Sequence, residues 1–263
     1  MQARTYAGMA LGAAVALAGA GWAAAEEQDS TLTRSWSGER VVVAIPAEVR
    51  YVPGPVGRVT ITGPRERLAH IRIEHGVIGV QPHWGGWFWG WNNLNDWGDA
   101  RRVQVVLTAP RISSAVVAGP GRLDLGRLSQ DRLELTVSGP GHARASGAIH
   151  DLKVVVSGPG HATLQGLQTA TMEVVVSGPG HVTADGNCTD AHLVATGPGH
   201  IDLAQLKLQD AEVRVMGPGG ASIAPLRSAS LSIMGPGSVR LLSHPAQVTS
   251  NVMGPGRVIR TAG

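Results

Sequence analysis

Two groups of residues in this chain have the types and spacing to do chemistry. The first is His142, His161, His181 and His200, each directly after a Gly-Pro-Gly triplet and 19 or 20 residues from the next. Neutral imidazoles are ready ligands for zinc, copper or nickel. Rings repeated at that interval can share an ion only if the chain stacks them at strand spacing, roughly 4.8 Å. The outward residues beside them, Arg144, Thr163, Thr183 and Asp202, supply no carboxylate column to complete a closed site. The expectation is weak divalent transition-metal binding, set against a solvent-exposed ladder that merely tolerates the turn exit. No other cofactor is expected.

The second group is aromatic. Trp84, Trp87, Phe88, Trp89, Trp91 and Trp97 include five of the seven tryptophans and the only phenylalanine, spaced by glycines in an expected loop over residues 82–99. Exposed aromatics at that density serve contact with a protein partner, a sugar ring or a membrane interface. The alternatives are a lid over the N-terminal end of the core or a subunit contact.

The elements that position both groups follow from a repeat. Gly-Pro-Gly begins at Gly119, Gly139, Gly158, Gly178, Gly197, Gly217, Gly235 and Gly254, in steps of 18 to 20 residues. A period so short and steady marks a solenoid, in which one coil cannot bury its apolar face alone. Proline second and glycine third predict a type II turn, the glycine supplying positive φ. Both flanks alternate with period two, as in Leu152, Val154 and Val156 before one triplet and Ala162 and Leu164 after it. Two residues before each triplet stand Val117, Val137, Val156, Val176, Ala195, Val215, Ile233 and Val252. These columns predict an all-β, single-domain parallel β-helix with coils of about 19–20 residues. Second glycines at Gly126, Gly147, Gly166 and Gly186 predict another corner. Val41 to Ile45, Val59 to Ile61, His70 to Val80 and Arg102 to Leu107 read as irregular N-terminal coils that close the rod.

Outward positions carry further signals. Val155, Val175 and Val194 are apolar where a solvated strand is polar, so the N-terminal segment or a second subunit is expected to cover them. Ser138, Ser157, Ser177 and Thr196 predict a hydroxyl hydrogen-bond ladder, giving way to Met216, Met234 and Met253, a second candidate contact surface.

Residues 1–25 read as an export signal, with Arg4, an apolar run from Met9 to Ala20 and Ala23-Ala24-Ala25 before Glu26. That run is short for a membrane span, and none is expected once the leader is removed. Residues 26–38 form a polar lead-in and 39–263 the solenoid. The formal charge is +3, and one positive charge, Arg4, lies in the leader. No clustered basic stripe of the kind nucleic acid requires is evident. Cys188 is the only cysteine, which rules out an intrachain disulfide and predicts a buried thiol.

The motifs Val137-Ser138-Gly139-Pro140-Gly141-His142, Val156-Ser157-Gly158-Pro159-Gly160-His161 and Val176-Ser177-Gly178-Pro179-Gly180-His181, with the opening stretch Ala47 to Thr60, resemble the head GIN domain family of auto-transporter adhesin heads. The resemblance spans about Val41 to Ile259. It departs from the family's usual serine where this chain has proline, and from its aspartate or asparagine where this chain has histidine. It implies a parallel β-helix at the bacterial envelope, in the periplasm or at the cell surface, adhesin-like and with no catalytic residues. The expected function is non-enzymatic binding of an envelope glycan, lipid surface or protein through the aromatic loop. Alternatives are a polysaccharide-acting β-helix enzyme and a structural, homo-oligomerising module. Catalysis of that kind needs paired carboxylates. Asp124 and Asp202 share a column but lie four coils apart, roughly 19 Å.

Overall fold

A computed structural model describes residues 29–80 and 103–260. Its centre is six long strands: β9 (Arg122–Val137), β10 (His142–Val156), β11 (His161–Val176), β12 (His181–Ala195), β13 (His200–Met216) and β14 (Gly220–Met234). Each pairs in parallel with the coil before and after it. The register is the one the columns require: Val156 lies opposite Val137 and Val176, and His161 opposite His142 and His181. Val137, Val156, Val176, Val215 and Ile233 are fully buried. Each such side chain contributes about 1.5–3 kcal/mol through burial. The fold is the parallel β-solenoid expected from the repeat.

The long strands bend where the second glycines predicted corners. Gly147, Gly166 and Gly186 have φ of +115°, +57° and +118°, and the pairing register shifts beside them. Inside this corner, Gln130, Thr169 and Cys188 each donate to a carbonyl two residues ahead and another in the preceding coil. Cys188 is therefore a buried donor. Burial, with Asp190 adding to it, pushes its thiol up to about 12.

The Gly-Pro-Gly turn works differently from the expected type II pattern. None of Gly121, Gly141, Gly160, Gly180 and Gly199 has positive φ. Space is the constraint instead: a Cβ on Gly160 would sit 2.5 Å from both the Gly139 carbonyl oxygen and Val137 Cγ1. In the last three triplets it is the first glycine, Gly217, Gly235 or Gly254, that turns left-handed, with φ of +102° to +115°. There the ladder runs one residue further, Gly217 N donating to Met234 O and Gly235 N to Met253 O. Met216, Met234 and Met253 thus extend the strands and point outward. Earlier in the same column, Ser138, Ser157, Ser177 and Thr196 make, among the described residues, no side-chain hydrogen bonds to one another, so the expected hydroxyl ladder does not form. Their side chains are exposed at the turn edge.

The N-terminal coils stack out of chain order. β2 (Arg40–Val43) and β3 (Glu48–Pro53) lie directly beneath the first regular coil, pairing with β8 (Ser114–Val117) and β9. Their sequence Val41-Val42-Val43-Ala44-Ile45-Pro46-Ala47 is a Gly-Pro-Gly coil without its glycines. One layer lower, β6 (Val77–Val80) pairs with β2, and β7 (Gln104–Ala109) with β3. The end is then closed by antiparallel elements: β4 (Arg58–Pro64) on β7, β1 (Asp29–Ser35) on β4, and β5 (Ile71–Glu74) on β6. A short helix, α1 (Arg65–His70), follows β4. The lead-in read as merely polar thus carries the edge strand β1. At the other end are β15 (Ser238–Leu241), β16 (Gln247–Met253) and β17 (Arg257–Arg260). Arg260 falls in register with buried Leu241, and a charge at that position blunts the open edge.

Candidate functional site

The histidines open β10 to β13, and each backbone N–H donates to a triplet glycine of the coil below, as His161 N does to Gly141 O at 3.1 Å. This fixes the Cα spacing and leaves the rings to stack outside. Ring centroids of His142 and His161 are 5.1 Å apart and nearly parallel. His161 and His181 are 6.2 Å apart and tilted by 51°, and His181 and His200 are 5.6 Å apart and again stacked. The ladder stops at Gly220, where a Cβ would come within 3.2 Å of His200 Nδ1. His200 Nε2 instead meets Ser222 Oγ at 3.2 Å.

Parallel rings aim their lone pairs side by side rather than at one point. Among the described residues, no three His, Cys, Asp or Glu side chains are grouped to hold a metal ion. Pairwise capture of a transition ion would require rings to rotate out of the stack. Protonation is the other chemistry open to the ladder. Burial lowers the pKa of His142, with repulsion from His161, Arg122 and Arg144 adding to it. Burial also lowers His200, helped by His181 and Arg240 and opposed by Asp202.

The sign of the resulting pH dependence is fixed. Both rings protonate more readily unfolded, at about 6.5, than folded. Below that pH the unfolded chain binds more protons, so stability is intact above about 6.5 and falls as pH drops toward the lowered folded values. Melting temperature is therefore expected to be flat from pH 8 to 7 and to decline on acidification through pH 6.5 to 5. A His142→Asn/His200→Asn variant should decline less steeply. An unchanged slope in the variant would show that these two rings are not the cause.

Trp84, Trp87, Phe88, Trp89, Trp91 and Trp97 lie outside the described residues. Their attachment points are described. Ala44 N donates to Ile78 O, and Glu48 N to Val103 O, both at 3.1 Å.

Other sequence-marked positions are now placed. Val155, Val175 and Val194 are half-buried and belong to a longer outward stripe with Val42, Val116 and Thr136. Asp124 and Asp202 are joined through Arg144, Thr163 and Thr183, four ladder steps apart. Reasoning from the repeats missed Arg50, which the β3–β9 pairing sets beside Asp124 and two steps from Arg144. The alignment of Val41–Ala47 with the triplet coils is the signal that would have found it.

The family model for "Putative auto-transporter adhesin, head GIN domain" matches residues 39–245. The chain belongs to this family. Among solved structures, it is similar to a putative lipid binding protein from Parabacteroides distasonis, at 14% identity, covering 90% of this chain and 98% of that one with a TM-score of 0.75. A putative adhesin from the same organism matches at 14% identity over 90% and 98% with a TM-score of 0.72. One from Parabacteroides merdae matches at 17% identity over the same shares with a TM-score of 0.69. At these identities the likeness is one of fold. No curated protein matches the sequence. No helix among the described residues is long and apolar enough to cross a membrane.

Proposed function

We propose that this head GIN domain is an exported, non-enzymatic binding module of the cell envelope, using the aromatic segment at residues 82–99 as its main recognition surface. The observation that carries this is the attachment of that segment. Its flanking strands, β6 and β7, are held in the solenoid by pairing with β2 and β3, and the chain between them carries six large aromatic residues. Aromatic anchors of this kind dominate binding energy at protein contacts. Membership in a family named for adhesins agrees with binding, and one fold neighbour is named a lipid binding protein. Asp124 and Asp202, the carboxylates of the column next to the histidines, are separated by roughly 19 Å, beyond the reach of a glycosidase pair. The half-buried valine stripe favours a second reading, in which the solenoid face packs on another subunit.

Deleting Trp84 to Trp97 tests both. The expected result is a melting temperature within about 2 °C of the parent, since β6 and β7 keep their pairings with β2 and β3. Binding to isolated envelope glycan, to lipid vesicles or to a defined envelope protein should be lost. A deletion that unfolds the N-terminal coils, or that splits an oligomer by light scattering, would make the segment a lid or a subunit contact.

A further inference from the structure

On the sheet face that carries the histidines, beyond them toward the second corner, a groove of about 720 Å³ crosses β7, β3, β9, β10 and β11. Arg50, Arg127 and Arg144 line it, with Asp124, Ser146 and Gln165. The three arginines are exposed, and among the described residues none of them takes part in a salt bridge or side-chain hydrogen bond. Asp124 is likewise unpaired, although the ladder sets it between Arg50 and Arg144. Elsewhere this surface pairs its charges, as in Lys153 with Glu173 and Arg214 with Glu212. Three guanidiniums left free around one carboxylate form a local excess of positive charge with bidentate donors.

We infer that this groove binds a linear carboxylated glycan, with Arg50, Arg127 and Arg144 holding its carboxylates. The shape argues for an extended ligand, because the groove is open and crosses five stacked strands, about 19 Å from first to last. Sugar hydroxyls would find a hydroxyl at Ser146, an amide at Gln165 and an acceptor at Asp124. Val52 and Val106, 41% and 40% exposed, offer apolar contact for the sugar ring's C–H face. The free carboxylate of Asp124 counts against a densely phosphorylated ligand, which it would repel. The inference is independent of the aromatic segment, which attaches at the opposite end of these strands.

The full chain should be titrated calorimetrically at pH 8, where imidazoles are neutral, with oligogalacturonate, with its methyl ester and with anionic phospholipid vesicles as probes. The carboxylated oligomer is expected to bind and the ester to fail. Arg50→Gln/Arg144→Gln should weaken binding by about tenfold or more, the scale of losing charge-assisted hydrogen bonds, with an unchanged melting temperature. Asp124→Asn should leave binding intact or strengthen it, by removing the repelling carboxylate. Equal affinity in the arginine variant, equal binding of the ester, binding of vesicles only, or loss of binding at pH 8 would each overturn the inference. The aromatic deletion should bind the oligomer as the parent does, which keeps this test separate from that of the proposed function.

Discussion

Replacing Val156 with aspartate is expected to abolish the folded state or to lower the melting temperature by roughly 10 °C or more. Val156 is fully buried and stacks in register between Val137 and Val176. An aspartate there is surrounded by methyl groups above and below, with no donor in the column to pair with. Burying an unpaired charge is among the few mechanisms that cost more than about 4 kcal/mol. In a domain of this size each kcal/mol moves the melting temperature by about 2–4 °C. The neighbouring position is the control. Val155 points outward and is half-buried in the valine stripe, so Val155→Asp should cost about 0.5 kcal/mol or less in an isolated subunit. Thermal melts of the two variants, side by side, read the register directly. Equal damage from both would mean that the stripe is covered, as the subunit reading requires, or that the assigned alternation is wrong.

The regular coils were legible because each column repeats the same physical requirement. An aliphatic two residues before the turn, an outward histidine after it and a glycine at the next corner recur in turn, and the observed pairings place all three as expected. The N-terminal layers were less legible because neither stacking order nor strand direction is periodic. β2 and β3 precede β6 and β7 in the chain yet lie between them and the first regular coil. Nothing local to Arg58–Pro64 or Asp29–Ser35 says that these strands run antiparallel. That direction follows from the chain returning across an end already occupied. The helix Arg65–His70 was missed because it is a single short turn with only Leu68 buried.

The candidate sites divide along the same line. The histidine ladder lies within the repeat, so its stacking could be read before any geometry was known. The relative orientation of its rings could not, because it depends on side-chain torsions that spacing leaves open. The arginine groove joins residue 50 to residue 144 across a reordered coil, and no repeat count connects them. Met216, Met234 and Met253 were visible as a change in a column. That the first glycine of the same three triplets turns left-handed was not, because the triplet itself is unchanged.

The triplet glycines lead to the second large prediction, in which conformational freedom and available space give opposite rankings. Gly160 has no need of positive φ, so turn propensity alone would let alanine replace it cheaply. The stack does not. The added Cβ would lie 2.5 Å from the Gly139 carbonyl oxygen and from Val137 Cγ1, and 2.7 Å from the Gly141 carbonyl oxygen. Two of these three are backbone atoms of the coil below, held by the parallel ladder on either side of the turn, and cannot rotate away. Gly166 is the reverse case, with φ of +57° and nothing within 4 Å of an added Cβ. Gly166→Ala should therefore cost about 1–2 kcal/mol, the penalty for an L-residue in left-handed conformation. Gly160→Ala should cost about 3 kcal/mol or more, because the two coils must separate or the turn must shift. Denaturant midpoints at constant m-value would rank the two variants. A larger loss in Gly166→Ala would mean that coil separation relaxes easily and that torsion, not close approach, is why the chain repeats its glycines.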